Sequence, residues 1–244
     1  MKRVLKRLLS ERQRKALLLW RDRGDRYLCP LCEGRFRQFW PSGIDDRPNT
    51  LCPQCSSLER HRLLWLYLKN RTDFFTADLQ LLHFAPEAIL RDRFKAQPNI
   101  TYLSTDLDSD LADVHMDITD LQFEDNRFDV ILCVHVLEHI PDDAQAMKEL
   151  YRVLKPGGWA IVQSPMDVHR ATTFEDPSIT SPEERERVFN QRDHVRLYGR
   201  DYEDRLEAAG FSVKIDGYVR ELGEQAQTYG LNPEEDVYFC TKAP

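Results

Sequence analysis

The chain has 244 residues, 41% of them hydrophobic and 31% charged, with a formal net charge of −7. That length fits one large α/β domain, or a smaller one with an appended module, and the composition is that of a folded, water-soluble protein. No apolar run approaches the ~18 residues of a membrane span, and Arg12, Arg14 and Lys15 interrupt the N-terminal apolar stretch that a secretory signal needs, so the sequence reads as cytoplasmic.

The charge is uneven. Residues 1–26 hold ten Lys/Arg against three Asp/Glu, and the first 62 residues carry about +8, leaving about −15 on the remainder. A basic head on an acidic body either docks on its own chain or a second copy, which leaves room for a homo-oligomer, or meets an anionic partner. Residues 2–9 put Val4, Leu5, Leu8 and Leu9 on one helical face among Lys2, Arg3, Lys6 and Arg7. Ser10 and Gln13 have capping-box spacing, which predicts a second helix running to about Trp20. Leu17, Leu18, Leu19 and Trp20 are expected to pack on a neighbour. Residues 1–26 are thus read as a basic helical segment.

Residues 27–57 change character. Cys29-Pro-Leu-Cys32 is followed after nineteen residues by Cys52-Pro-Gln-Cys55, with Phe36, Phe39 and Trp40 between the pairs. Each Cys-x-x-Cys turn offers two thiolates, and two such turns complete the tetrahedral set that zinc prefers. In a cytosolic chain this pattern reads as a metal site before a disulfide; reduced thiols and a redox pair are the other options. Four cysteine ligands leave no open position, so the zinc expected on Cys29, Cys32, Cys52 and Cys55 is structural, holding together a module too small to fold without it. Residues 58–70 return to helix, with Leu63, Leu64, Leu66, Tyr67 and Leu68 as apolar positions, and link this module to a main domain over 71–244.

From Leu79 onward strands and helices alternate. Strands are expected at Leu79–Phe84, Ile100–Thr105, about Ala112–Met116, Phe128–Val134, Trp159–Gln163, Phe211–Ile215 and Val237–Thr241. Helices are expected up to about Lys95, from Pro141 to Leu154, and over Asp201–Ala209, and Lys155-Pro156-Gly157-Gly158 reads as a tight turn. This alternation implies an α/β, Rossmann-like, mostly parallel sheet with helices on both faces. Such sheets bind ligands beyond the carboxyl ends of their strands. The residues there are Ala85-Pro86-Glu87, Asp106, Asp117, and Val134-His135. An acidic side chain after the second strand suits ribose hydroxyls, and nearby carboxylates suit a cationic ligand.

Phe128-Asp-Val-Ile-Leu-Cys-Val-His-Val-Leu-Glu-His-Ile140 resembles the fourth motif of class I S-adenosylmethionine-dependent methyltransferases. Asp117–Phe123, Leu154–Gly158, and Asp193–Tyr198 with Tyr202–Phe211 are similar to further segments of that family, in its order, across about residues 79–241. The resemblance implies S-adenosylmethionine as cofactor. It implies that Asp106 grips the ribose, that Asp117 meets the adenine amino group with Ile118 beside the ring, and that Val134 and His135 line the cofactor. The chain departs from the family where a Gly-x-Gly turn is usual. Ala85 is small enough for one close approach there, and Glu87 is placed to pair with the cofactor's α-amino group.

The reaction implied is in-line attack of a nucleophile on the sulfonium methyl, with positioning as the enzyme's main work. For a hydroxyl acceptor a base is required, and His135, His169 and His194 qualify; His194 is favoured because the resemblance puts its loop near the site. Glu138 and His139 read as structural. Residues 164–192 read as a lid carrying a short helix capped by Ser181 and Glu184. Three readings of function remain open. One is methyl transfer to a small molecule or sugar-containing metabolite. The second is RNA methylation, with Arg35, Arg37, Arg47, Arg60 and Arg62 on phosphates. The third is a non-catalytic binding protein that keeps the cofactor fold.

Overall fold

A computed structural model describes residues 10–43 and 46–244; the basic helix read over residues 2–9 lies outside them. The chain forms two compact units: the described residues up to Thr72 together with Tyr218–Glu235, and Asp73–Gly217 together with Asp236–Pro244.

The first unit opens with α1 (Glu11–Asp22), started by a capping box in which Ser10 Oγ accepts from the Gln13 amide and Gln13 Oε1 accepts from the Ser10 amide. Leu18 and Leu19 are half-buried, but Leu17 and Trp20 are 46% and 71% exposed, contrary to expectation. Four consecutive helical residues point around most of a turn, so a one-sided contact cannot cover them all. Two hairpin-like pairs follow: β1 (Arg23–Leu28) with β2 (Arg35–Phe36), and β3 (Trp40–Ser42) with β4 (Arg47–Leu51), both antiparallel. Their aromatic residues form a small core, with Tyr27 and Phe36 packed at 5.1 and 6.0 Å from the Phe39 ring centroid. Trp40 instead spends its indole N–H on the buried Asp22 carboxylate, at 2.8 Å.

Helix α2 (Glu59–Arg71) buries His61, Arg62, Leu63, Leu64, Leu66, Tyr67 and Leu68. Two short helices from far along the chain, α7 (Tyr218–Glu221) and α8 (Glu224–Thr228), belong to the same unit. Tyr67 meets Tyr218 edge-to-face at 5.6 Å, and Asn70 donates to the Tyr218 hydroxyl at 2.6 Å. Gly230, at φ +60°, lets the chain pass the Phe39 ring, which a Cβ would meet at 2.9 Å.

Arg62 ties these pieces together. Its side chain is fully buried, lies over the Phe39 ring at 4.6 Å, and donates to the carbonyls of Thr50 (3.0 Å), Ser57, Tyr229 and Gly230 (each 2.7 Å). Burial lowers its pKa, and the nearby Cys29 sulfur opposes that fall. As a phosphate contact Arg62 is therefore excluded. Arg47 pairs with Glu59 at 2.8 Å, and Arg37 donates to the Arg23 carbonyl at 3.2 Å.

The second unit is a seven-stranded sheet of β5 (Leu79–Phe84), β6 (Ile100–Asp106), β7 (Val114–His115), β8 (Phe128–Val134), β9 (Leu154–Gln163), β12 (Ser212–Asp216) and β13 (Val237–Thr241). The order across it is β12-β13-β9-β8-β5-β6-β7; β13 is antiparallel to both neighbours, and the other pairs are parallel. Counted along the chain this is 3-2-1-4-5-7-6, the doubly wound order with one antiparallel strand inserted near an edge. β8 is apolar nearly throughout because both its faces are covered. Helices α3 (Ala88–Lys95), α4 (Asp143–Val153) and α6 (Tyr202–Ala208) supply the cover; α4 buries Ala146, Met147, Leu150 and Val153, a single stripe at helical spacing.

Residues 155–158 are not a separate turn as expected. β9 already starts at Leu154, and the sequence between Leu154 and Trp159 bulges opposite Phe128–Val130. A side chain on Gly158 would stand 2.8 Å from the Asp129 carbonyl, which explains the glycine there. Residues 164–192 contain β10 (Phe174–Glu175), paired antiparallel with β11 (Arg196–Leu197), and α5 (Pro182–Phe189), whose N-cap Ser181 accepts from the Glu184 amide.

Candidate functional site

The order reversal of the sheet falls between β5 and β8. Both strands leave the sheet through a non-glycine residue in the left-handed region: Ala85 at φ +46° after β5 and His135 at φ +57° after β8. L-residues avoid this region, and such strain gathers at functional sites. Each residue is pinned by its amide, Ala85 to the Thr105 carbonyl at 3.0 Å and His135 to the Gln163 carbonyl at 2.7 Å. Ala85 thus takes the backbone shape that the missing glycine would have given.

Asp106 ends β6 beside Ala85. Its Oδ1 accepts from the amides of Asp108 (3.1 Å) and Ser109 (3.0 Å), holding the next turn. Asp117 is exposed, and its Oδ1 accepts from the amide and hydroxyl of Thr119 (2.8 and 2.7 Å), which hold its carboxyl below the usual range. Ile118 is buried against the core that includes Phe84 and Leu121. Glu87 precedes α3 as its N-cap, with Oε2 3.8 Å from Nε2 of the buried His83. Val134 is buried at the end of β8. Ala85, Asp106, Asp117, Val134 and His135 therefore share the carboxyl edge of the parallel strands.

His194 is buried. Its Nδ1 lies 3.2 Å from the Phe189 carbonyl, to which it must donate, so the remaining lone pair of the neutral ring sits on Nε2. Burial first, then the neighbouring His139, lower its pKa. The sequence reading missed what stands next to it. Leu137–His139 forms a 3-10 turn just beyond β8, and Glu138, His139 and His194 bring one ligand atom each within 4.8 Å of the others. The His139 and His194 rings meet edge-to-face at 4.8 Å. His135 Nδ1 lies 3.4 Å from Glu138 Oε1, joining this cluster to the strand end. No local pattern announces the cluster, because its members come from separate segments. His169, in contrast, is exposed.

The four cysteines sit in two matching turns in the first unit. The Glu33 amide returns to the Cys29 carbonyl at 2.8 Å and the Ser56 amide to the Cys52 carbonyl at 2.9 Å. Glu33 and Ser56 both adopt positive φ, at +58° and +62°. The Sγ atoms of Cys29 and Cys55 are 3.6 Å apart, those of Cys32 and Cys52 3.7 Å, and all four lie within 4.8 Å. A tetrahedron with Zn–S bonds of about 2.3 Å has edges of about 3.8 Å, so the sulfurs stand where one zinc ion fits. Hydrogen bonding from Cys32 lowers the pKa of the Cys29 thiol, while hydrogen bonding with Cys29 pushes that of Cys52 up.

Residues 82–162 match the model of the methyltransferase domain family. This range runs from within β5 to within β9 and includes the strand ends just described. Over that range the parallel sheet is similar to a methyltransferase domain. Demethylmenaquinone methyltransferase of Staphylococcus epidermidis is 46% identical over 48 residues, 20% of each chain, and that of Staphylococcus carnosus is 47% identical over 53 residues, 22% of each. The chain thus aligns with about a fifth of the length of these curated relatives. Among solved structures, an S-adenosylmethionine-dependent methyltransferase from Archaeoglobus fulgidus aligns at 15% identity and TM-score 0.49, over 74% of this chain and 93% of that one. Another from Mesorhizobium loti aligns at 15% and 0.48, over 72% and 96%. Among the described residues no helix is long and apolar enough to cross a membrane.

Proposed function

We propose that this protein transfers the methyl group of S-adenosylmethionine to a small-molecule acceptor, and that a structural zinc ion on Cys29, Cys32, Cys52 and Cys55 holds its first unit together. The carrying observation is the pair of left-handed exits at Ala85 and His135 on either side of the order reversal, with Asp106 and Asp117 on the same edge. In this reading the Ala85 backbone approaches the methionine part of the cofactor, and Glu87 turns from His83 to its ammonium group. Both hydrogen bonds of Asp106 fall on Oδ1, and its other oxygen takes the ribose. Asp117 receives the adenine amino group beside Ile118, and Val134 and His135 line the sulfonium end. The cofactor supplies an electrophilic methyl carbon. The protein aligns the acceptor with it, and His194 Nε2, whose lone pair is left open by the Nδ1 contact to Phe189, is placed to act on the acceptor either as a base or through a bound ion.

The curated relatives are named for a quinone-type acceptor, which supports a small molecule over RNA. The burial of Arg62 and the pairing of Arg47 with Glu59 also take two arginines from the RNA reading. The test is calorimetric titration with S-adenosylhomocysteine. Binding that raises the melting temperature supports the reading, and absence of binding at millimolar ligand overturns it.

A further inference from the structure

The cluster beyond β8 has the form of a second, unrelated metal site. Each imidazole has its Nδ1 engaged by an acceptor: His194 by the Phe189 carbonyl at 3.2 Å, and His139 by Asp193 Oδ2 at 3.3 Å. An imidazole whose Nδ1–H is held by a carboxylate or a carbonyl presents Nε2 as a lone pair in a fixed orientation, the usual support of a metal-bound histidine. Glu138 is supported too: its side chain is buried, and Oε2 accepts from the Ser164 hydroxyl at 3.0 Å. Glu138 Oε1 stands 4.0 Å from His139 Nε2. Two ligand atoms on one first-row ion stand at most about 4.2 Å apart, twice a bond of about 2.1 Å. All three ligand atoms lie within 4.8 Å of one another.

The backbone that carries these groups is clamped. Arg196, 3% exposed, donates to the carbonyls of Leu137 (2.9 Å), which opens the 3-10 turn, and Pro141 (2.8 Å), which follows it. The Val195 amide donates to the Glu138 carbonyl at 2.9 Å. The segment 193–196 and the turn are thereby locked in register, and the ligand atoms arrive prearranged.

We propose that Glu138, His139 and His194 bind one divalent first-row transition-metal ion. Two imidazoles and one carboxylate suit manganese, iron, cobalt or zinc, and three protein ligands leave positions open to oxygen donors. The role of the ion rests on the methyl-transfer reading. An acceptor hydroxyl bound there loses its proton to solvent, its oxygen then forms the bond to the methyl carbon as the carbon–sulfur bond breaks, and the thioether leaves neutral. His194 then serves as a ligand to the ion and does not take the proton itself.

The experiment uses the full chain after dialysis against a mild chelator. Mn2+ is titrated and read by electron paramagnetic resonance, because thiolates bind this ion poorly and the four-cysteine site stays silent; Co2+ is titrated in parallel. One ion per chain is expected, with affinity falling at least about tenfold in His139→Ala and Glu138→Gln and about tenfold in Asp193→Asn, which removes only the support of His139. Asp193 is 65% exposed, so that variant keeps its fold. Binding of neither ion by the wild type below about millimolar concentration, or wild-type affinity in all three variants, overturns the proposal. S-adenosylhomocysteine titrated into the same samples reports on the methyl-transfer reading separately.

Discussion

The strongest quantitative consequence concerns Arg62→Met. The substitution keeps much of the buried volume but removes a guanidinium that satisfies four backbone carbonyls, those of Thr50, Ser57, Tyr229 and Gly230. Each buried acceptor left unmet costs about 1–3 kcal/mol, but relaxation and water entry make the four losses less than additive. Breaking one side of such a buried charged network costs about 3–5 kcal/mol. Removing the charge also recovers part of its desolvation cost, so about 3–4 kcal/mol is expected for the first unit. For a unit of this size that lowers its melting temperature by about 12–30 °C. Lysine should not rescue it, since a single ammonium cannot reproduce the planar fork toward four acceptors. The assay follows zinc release to a chromophoric chelator on heating, which reports the first unit, alongside S-adenosylhomocysteine affinity, which reports the second. The expected result is early zinc release with cofactor affinity nearly unchanged. Zinc release within about 1 kcal/mol of wild type would show that the four contacts do not hold the unit together.

The purified protein should contain about one zinc per chain, and Cys52→Ser should lose it and expose the first unit to proteolysis; elemental analysis finding no zinc in reduced protein rejects the assignment. Asp106→Ala should weaken S-adenosylhomocysteine binding by roughly 1–3 kcal/mol, the worth of a charge-assisted hydrogen bond, and equal affinities by calorimetry would remove Asp106 as the ribose ligand. Burial pushes the Glu235 carboxyl up from 4.5 to about 7, so the folded chain keeps it protonated where the unfolded chain ionises it. Its contribution is complete below about pH 4.5 and is lost as pH rises through about 7. Glu235→Gln should therefore stabilise the first unit at pH 8, by on the order of 1–3 kcal/mol, and should change little at pH 4. A stability gain that is the same at both values would contradict this account.

Local chemistry made the strands and the cysteine turns legible. The apolar runs of β5 and β8 are continuous because both faces of a parallel strand are covered, and that shows in composition before any contact is known. The Cys-x-x-Cys turns are legible for a similar reason: each is a closed local unit whose hydrogen bonds lie within six residues. Asp106 and Asp117 could be picked out because strand ends are where such sheets bind ligands.

Long-range chemistry was not legible. The sequence draws one boundary near residue 71, yet Tyr218–Glu235 joins the first unit through carbonyls that Arg62 reaches across more than 160 positions. Arg62 itself looked like a surface cation, since nothing in its neighbours announces four buried acceptors. The same limit hid Glu138 and His139. Beside one another in the sequence they read as structural, and only the fold brings His194 onto them from 55 positions away. Backbone hydrogen-bond economy and apolar burial act over a few residues and leave their mark in local patterns. Which side chains converge depends on chain crossings that no local pattern records, and that convergence was decided by the tertiary structure alone.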